Sequence, residues 1–442
     1  MKLKKITAIL LTLTMVAGLA ACGKNEEAAQ TPEETAAYAE EEDKEPEEEI
    51  TDEILEEDEM SEGRGDYITD LPYITIEEKN YDVKNDDHYL VEYRTAAISA
   101  VSAIEDYSAL AEALDEYSKE LEPIDEVLGD YGEEAMEIIN DRGDEFEDEG
   151  YPIVSITTDF TPARIDTNMV SLKRLDYSYE GGAHGNSGYT GVTFDAKTGK
   201  RLAPEDIFTD LDGFMENMKG SFKEAIPMIM DPEMLFDEWE DAVDNIDLSY
   251  DSWYFDATGF TYVFNAYEIA PYAAGPAFVS IGYEQLTPFI NSDYLPTGGD
   301  QIAAVNPGNA GCVSLVDGIY VSIENEYDND DYTKGSGSVT IGADTKVITD
   351  TGSIDDAYLM NRLDKAYLFL NYSSNYADGD DVIWRENVAV LDVTDGSMNV
   401  IYDESDAKLL PATFDMDTFD VEITDGDDTE TQMRVVSTVI GE

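Results

Sequence analysis

Apolar and polar positions alternate in several short segments of the first part of the chain, which predicts β-strands. The predicted strands are Ile68–Tyr81, Tyr89–Arg94, Ile153–Phe160, Met169–Tyr179, Trp253–Phe255, Phe260–Phe264 and Phe278–Tyr283. Over Ile104–Phe146 the apolar residues recur at intervals of three and four, which predicts two helices separated at Pro123. A second helical pattern covers Phe214–Ile246 and is interrupted at Pro227 and Pro232. Helices inserted among antiparallel strands predict an α+β fold.

Residues 312–442 are predicted to form a mostly-β C-terminal domain. Its strand-like segments are Val313–Asn325, Ser338–Ile341, Tyr367–Tyr372, Asn387–Val393, Val400–Asp403, Phe419–Thr424 and Met433–Ile440. Asp-Gly turns separate several of these segments, and a small sandwich or barrel is the expected architecture. The segment Leu295–Gly311 is rich in Pro and Gly and is the expected boundary. The part before it is divided into an α+β domain over residues 67–168 and a second one over residues 169–295.

The N-terminus has the pattern of an export signal. A basic start, residues 2–5, precedes the largely apolar run Ile6–Ala21, whose 16 residues are fewer than the roughly 20 that a membrane-spanning helix needs. The sequence Leu19-Ala20-Ala21-Cys22 is similar to the lipobox of bacterial lipoproteins. This resemblance implies that residues 1–21 are removed and that Cys22 carries a diacylglycerol, whose acyl chains anchor the protein to the membrane. The alternative is an ordinary signal peptide with a chance cysteine.

Acidic residues dominate the chain, since 100 Asp and Glu oppose 26 Lys and Arg and give a formal charge of −74. Residues 24–66 contain 20 of the acids and few large apolar side chains, so the segment 22–66 is predicted to be a disordered stalk or, alternatively, an acidic interaction tail. This charge excludes a nucleic-acid partner held by phosphate contacts and favours cations and basic proteins. Cys22 and Cys312 are the only cysteines, so lipidation of Cys22 leaves no pair for an internal disulfide.

Two loops contain the candidate binding residues. In the first, glycines surround His184 and allow positive φ angles and the close approach of another group. His184 is expected to cap a turn or pack against a tyrosine in a tight connection; the alternative is that it lies at a recognition surface or acts as a proton-transfer group. In the second, Glu268 is either a hydrogen-bonded carboxylate at a strand end or a group that faces a ligand. The candidate residues are Glu180, Gly181, Gly182, His184, Gly185, Tyr267, Glu268 and Tyr272.

Three segments together resemble a known family. They are Gly181-Gly182-Ala183-His184-Gly185, the Thr198-Gly199-Lys200 turn before Asp206-Ile207-Phe208, and Tyr267-Glu268-Ile269-Ala270-Pro271-Tyr272-Ala273-Ala274-Gly275. They resemble the extracytoplasmic domain pair of the RsiV-like lysozyme-sensing anti-sigma factors and of the non-catalytic region of PdaC-like peptidoglycan deacetylases. The resemblance covers roughly residues 67–290, assigns the domain over residues 169–295 to the RsiV-like type, and implies an α+β fold and, in one branch, direct binding of lysozyme.

This chain departs from both branches of that family. A lipobox stands where the anti-sigma factors have a cytoplasmic segment and a membrane helix, so control of a sigma factor is not expected. The zinc-dependent domain of the deacetylases has no counterpart either, because the chain has no His-x-x-x-His motif. The binding domains of this family are therefore expected here without the sigma-factor control of one branch and without the deacetylase activity of the other.

The residue inventory excludes several chemistries. His88 and His184 are the only histidines, so neither a three-His nor a Cys2His2 zinc site can be assembled. The segments Asp328–Asp331 and Asp425–Asp428 do not follow EF-hand spacing, and solvated loops explain them equally well. We therefore assign no catalytic residue, metal ligand or cofactor.

The leading hypothesis is a lipid-anchored protein on the extracytoplasmic face of the cell membrane that binds lysozyme or another basic or cell-envelope ligand. One alternative is a peptidoglycan or glycan hydrolase with His184 and Glu268 as acid and base. Another is a scaffolding lipoprotein that holds an envelope component through residues 312–442.

Overall fold

The computed structural model describes residues 70–85, 88–102, 106–143, 150–296, 298–305, 313–314, 320–327, 335–362, 365–378, 381–410, 418–424 and 431–437. The predicted signal sequence, Cys22, the acidic segment 22–66, Cys312 and both Asp-rich segments lie outside the described residues.

The described residues form an α+β fold of twenty strands and six α-helices, which confirms the predicted fold class. The strands are β1 (Tyr73–Lys84), β2 (Tyr89–Val101), β3 (Val154–Ile165), β4 (Met169–Glu180), β5 (Asn186–Asp195), β6 (Trp253–Phe255), β7 (Gly259–Phe264), β8 (Ala277–Gly282), β9 (Gln301–Val305), β10 (Val313–Ser314), β11 (Tyr320–Tyr327), β12 (Gly335–Ile341), β13 (Asp344–Thr349), β14 (Ile354–Arg362), β15 (Lys365–Asp378), β16 (Asp381–Asp392), β17 (Asn399–Ser405), β18 (Ala407–Leu410), β19 (Thr418–Thr424) and β20 (Thr431–Ser437). The helices are α1 (Ser108–Leu121), α2 (Asp125–Arg142), α3 (Pro204–Ile207), α4 (Leu211–Ile229), α5 (Trp239–Asp244) and α6 (Tyr283–Leu286).

Strand β3 lies at the centre of a ten-stranded sheet. Along one edge it pairs antiparallel with β4, which pairs in turn with β5. Along the other edge, residues near the start of β3 pair parallel with β2, and its last residues pair antiparallel with β9. Strand β1 extends the sheet beyond β2, and β14, β15, β16 and β17 extend it beyond β9.

Strand β9 falls inside the Pro- and Gly-rich segment that the sequence marks as a boundary. All five of its residues are buried, and it pairs with both β3 and β14. The prolines and glycines of this segment flank the strand, so composition alone does not reveal it. Strands β14–β17 consequently belong to the same sheet as β1–β5, instead of forming only a separate small sandwich or barrel.

The helical periodicity before β3 is confirmed by α1 and α2, which are separated at Pro123 as predicted. Leu110 and Leu114 of α1 are fully buried against the sheet, and Ser118 joins the helix to β2 because its hydroxyl accepts the backbone N–H of Ile98 at 2.8 Å. Helix α2 buries Ala135 in a smaller apolar cluster with residues of β2 and β3.

Helix α4 continues two residues past Pro227, where the sequence predicts an interruption. A proline removes one helical hydrogen bond and crowds the preceding turn. Both effects cost little here, because the helix ends two residues after Pro227. Helix α4 and the sheet β6–β7–β8 enclose an aromatic core, in which the Phe214 ring stacks on Phe208 at 4.0 Å and meets Phe260 edge-on at 5.1 Å.

The four-stranded sheet β10–β11–β12–β13 contributes Val321, Ile323, Val339 and Ile341 to a core that it shares with residues of β14, β15 and β16. Strands β18–β20 form a further three-stranded sheet. Among the described residues, no helix is both long and apolar enough to span a membrane.

Candidate functional site

The loop between β4 and β5 is held at both ends. At its start, Gly181 has a φ of +74° and its carbonyl oxygen accepts a hydrogen bond from Arg142 Nη2 at 2.9 Å. At its end, a Cβ on Gly185 would lie 2.3 Å from the ring of Tyr177, so only glycine fits there without displacing that ring. The sequence predicts that another group approaches these glycines closely. In the structure that group is a side chain of the protein itself, which is Tyr177 at Gly185 and Ile138 of α2 at Gly181.

His184 projects from this loop and stacks on Tyr272. The two ring centroids are 4.1 Å apart and the ring planes differ by 21°. His184 Nδ1 lies 2.8 Å from the carbonyl oxygen of Gly185, and the Tyr272 hydroxyl donates to the same oxygen at 3.1 Å. Because a carbonyl oxygen can only accept, Nδ1 is the donor in this contact. His184 is exposed, so this geometry holds the imidazole in one orientation at the protein surface.

Tyr267 extends this arrangement on the other side of Tyr272. Its φ of +71° is unusual for a residue with a large side chain and costs about 1–2 kcal/mol. The backbone hydrogen bond from Tyr267 N to Ala270 O, at 3.0 Å, and the complete burial of Ile269 hold the turn in this form. The Tyr267 ring is 5.9 Å from that of Tyr272, and the residue is 56% exposed. We refer to His184, Tyr267 and Tyr272 as the His184–Tyr272 surface.

Asn265 attaches this turn to β5. Its Oδ1 accepts the backbone N–H of Tyr189 at 2.6 Å, and its Nδ2 donates to the Tyr189 carbonyl oxygen at 3.1 Å. The amide therefore satisfies both backbone groups of one residue, as a neighbouring strand would do. Sequence reasoning missed Asn265; its position directly after strand β7 is the signal that could have identified it.

Glu268 faces its own turn. Neighbouring protein atoms desolvate the Glu268 carboxylate and raise its pKa, and the backbone N–H of Asn265, which donates to Oε2 at 3.1 Å, opposes part of that rise. The contacts of Glu268 and His184 are made with different groups: Glu268 with the backbone of Asn265, and His184 with Tyr272 and Gly185.

The predicted site residues therefore occupy two places. His184, Gly185, Tyr267 and Tyr272 lie together, with Glu268 in the same turn as Tyr267. Glu180 and Gly181 lie at the other end of the loop, where the charge of Glu180 contributes to raising the pKa of Tyr131 on α2, a rise caused mainly by burial. Gly182 is exposed, and a Cβ there would meet nothing closer than 3.6 Å.

Phe236 is a further exposed aromatic residue near this turn. Its backbone N–H donates to the carbonyl oxygen of Ile269 at 2.9 Å, and the residue is 39% exposed. The sequence places Phe236 among predicted helical residues between α4 and α5, where a single aromatic residue carries no signal of exposure.

Comparison with known proteins identifies one domain. The family DUF3298, described as a protein of unknown function, matches residues 205–284. A solved structure of a DUF3298 family member from Bacteroides fragilis matches with 19% identity and a TM-score of 0.34, over 50% of this chain and 96% of that chain. A DUF3298 family protein from Pseudomonas aeruginosa PAO1 matches with 16% identity and a TM-score of 0.34, over 52% of this chain and 98% of that chain. No curated protein matches the chain. Residues 205–284 therefore form a DUF3298 domain, a domain of unknown function that contributes Tyr267, Glu268 and Tyr272 to the site, whereas His184 comes from the strands before it.

Proposed function

We propose that this protein is an extracytoplasmic lipoprotein that binds a basic partner protein through the His184–Tyr272 surface, with lysozyme as the first candidate. The observation that carries the proposal is that His184 and Tyr267 are exposed and Tyr272 is partly exposed, yet all three are held in place. His184 and Tyr272 share the carbonyl oxygen of Gly185 as an acceptor, and Tyr267 is held by its backbone turn.

Aromatic residues held in this way suit a binding surface for two reasons. Tyr combines a large apolar ring with a hydroxyl group and is enriched at protein interfaces. Side chains that are already ordered lose little conformational entropy when a partner docks, so more of the contact energy remains as affinity. The resemblance to the RsiV-like proteins supports the same location, because two of its motifs meet at this surface.

The charge of the chain supports a basic partner. With a formal charge of −74, the protein attracts cationic proteins and accelerates their encounter. This attraction is screened over about 8 Å at physiological ionic strength, so it steers the partner while close contacts determine specificity.

Titration calorimetry with hen egg-white lysozyme at 50 and 300 mM salt tests the proposal. We expect binding that weakens with salt but persists, and a loss of affinity of about tenfold or more for Tyr272→Ala, as is usual for a central aromatic contact. Tyr151→Ala is the matched control, because Tyr151 is 72% exposed and lies outside the surface. No heat at micromolar concentrations, or equal effects of the two variants, would exclude lysozyme binding at this surface.

A second assay on the same protein distinguishes the hydrolase alternative from the binding function. Release of soluble fragments from purified peptidoglycan that disappears in both His184→Ala and Glu268→Gln would favour hydrolysis over binding. Release that persists in both variants would remove these residues from any such mechanism.

The lipid anchor is tested separately at Cys22. We expect radiolabelled palmitate to be incorporated into the wild-type protein and not into Cys22→Ala. Equal labelling of the two, or a precursor that retains residues 1–21 in the cytosol, would overturn this part of the proposal.

A further inference from the structure

A cleft with a volume of about 590 Å³ lies apart from the His184–Tyr272 surface. Its walls come from the segment that leads into α3, from the first turns of α4 and from the turn before β6. This volume is within the range of roughly 300–1,000 Å³ that is typical of ligand sites.

The floor of the cleft is apolar. Leu202, Ile246 and Leu248 line it and belong to the buried aromatic core beneath, and the partly exposed Leu211 and Met215 of α4 line it as well. The floor can therefore accept an apolar side chain or the methylene stem of a long one.

The rim of the cleft is acidic. Four carboxylates line it, and one of them, Asp251, is paired with Arg201 at 2.7 Å between Oδ2 and Nη2. The Arg201 guanidinium also lies over the ring of Tyr117, 5.3 Å from its centroid, so this cation is already engaged. Among the described residues, Glu205 and Asp212 have no cationic partner within salt-bridge distance, which leaves the rim with a net negative charge.

The turn that forms one wall is fixed by hydrogen bonds. Asp247 accepts the backbone N–H of Ser249 at 3.0 Å, and the Trp253 indole donates to the carbonyl oxygen of Leu248 at 2.8 Å. The carbonyl oxygen of Asp251 accepts the backbone N–H of Gly191 at 2.7 Å, which attaches the turn to β5. The wall therefore exists before any ligand arrives.

We propose that this cleft binds a short cationic segment of another protein, with a branched apolar side chain on the floor and lysine or arginine side chains against Glu205, Asp212 and Asp247. The negative rim is complementary to the positive charge of such a segment. The apolar floor favours this segment over a cation that has no apolar side chain. The site goes beyond the proposed function, because it uses none of the residues of the His184–Tyr272 surface.

The test uses the full-length protein labelled with ¹³C at its methionine methyl groups, with the Met215 signal assigned through Met215→Leu. The probe is the peptide acetyl-Lys-Leu-Lys-amide, titrated at low salt. We expect the Met215 methyl signal to shift in a saturable way while that of Met228, which is 72% exposed and does not line the cleft, stays in place. Acetyl-Gln-Leu-Gln-amide and acetyl-Lys-Gly-Lys-amide are expected to bind at least about fivefold more weakly. The first lacks the cationic side chains that face the rim, and the second lacks the apolar side chain that contacts the floor.

A charge-matched pair of double variants provides the control. Glu205→Gln with Asp212→Asn removes two carboxylates from the rim and is expected to weaken peptide binding about tenfold at low salt. Glu112→Gln with Asp130→Asn removes the same charge from exposed positions on α1 and α2 and is expected to leave affinity within about twofold of wild type.

Three results would overturn the inference: no shift of Met215, equal shifts with the neutral peptide, or equal affinities of the two double variants. The Met215 signal reports on the cleft alone, so failure here is distinguishable from failure of lysozyme to bind at the His184–Tyr272 surface.

Discussion

Replacing Asp166 with asparagine is expected to destabilise the protein far more than the same substitution in a surface ion pair. Arg164 and Asp166 have side chains that are each 1% exposed. Arg164 Nε donates to Asp166 Oδ2 at 2.7 Å, and Nη1 donates to the carbonyl oxygen of Tyr294 at 2.8 Å and to the Tyr283 hydroxyl at 3.1 Å. This network joins the end of β3 to α6 and to the segment before β9.

The magnitude follows from the burial of the charge. Desolvation by itself lowers the pKa of Arg164, but the charge and hydrogen bonds of Asp166 together with the Tyr283 hydroxyl outweigh it and produce a net rise, so the guanidinium remains charged. Asparagine keeps the shape of Asp166 and removes the negative charge, which leaves a buried cation with neutral partners. Removing one member of a buried ion pair costs about 3–5 kcal/mol of unfolding free energy. That is a large share of the roughly 5–15 kcal/mol that stabilises a typical folded domain.

Urea denaturation followed by tryptophan fluorescence measures this cost. The matched control is Asp115→Asn on α1, because Asp115 pairs with Lys119 and the two side chains are 61% and 62% exposed. An exposed pair contributes less than about 1 kcal/mol. We also expect Arg164→Met combined with Asp166→Asn to lose less stability than the sum of the two single variants. Equal costs for Asp166→Asn and Asp115→Asn, or strict additivity in the double variant, would show that the buried ion pair contributes no more than an exposed one.

Three further predictions concern the loops of the site. Gly185→Ala places a Cβ 2.3 Å from the ring of the half-buried Tyr177, which can move aside, so we expect a loss of less than about 1 kcal/mol and a changed ring-current shift of the His184 protons in NMR spectra. Asn265→Ala leaves both backbone groups of Tyr189 without their partner and is expected to cost about 1–3 kcal/mol in urea denaturation. Because the pKa of Glu268 is raised in the fold, ionisation of its carboxyl destabilises the protein as the pH rises above the ordinary range of a glutamate. The residue is exposed and solvent screens this effect, so Glu268→Gln should gain only a small amount of stability relative to wild type between acid and neutral pH.

Each of these predictions has a control in the same chain. Gly182→Ala adds a Cβ with nothing closer than 3.6 Å and should leave the His184 signals unchanged. Asn80→Ala removes an exposed hydrogen bond to Glu78 and should alter stability by less than about 0.5 kcal/mol. Glu112→Gln, which removes a carboxylate from an exposed face of α1, is the control for Glu268→Gln. An effect of a control as large as that of its partner would contradict the corresponding prediction.

Local periodicity was sufficient to predict most of the elements near the site. Strand β6 has the predicted bounds, Trp253–Phe255, and the spacing of Leu110 and Leu114 correctly predicts the buried face of α1. The interruption predicted at Pro227 comes two residues later, after Ile229, because the cost of a proline depends on where the helix stops. Strand β9 was missed, because its Pro- and Gly-rich neighbours dominate the composition of that segment.

The candidate site was only partly accessible to sequence reasoning. The glycine-flanked His184 and the Tyr267–Tyr272 segment stand out as local patterns, and the structure brings the two together. Asn265, Phe236 and the acidic cleft were not selected, because each is an ordinary residue or group of residues whose role depends on what lies opposite it.

The class of fold, the large excess of negative charge and the positions where the chain turns can be predicted from the sequence alone, because each depends on residue types and their local spacing. Which distant segments meet depends on the packing of the folded chain. Gly185 and Tyr272 are 87 positions apart and are joined by a hydrogen bond, and β9 connects the strands after it to β3. Such contacts depend on strand pairing and on buried polar groups such as Arg164, which pairs with the nearby Asp166 but also donates to Tyr283 and Tyr294, 119 and 130 positions away.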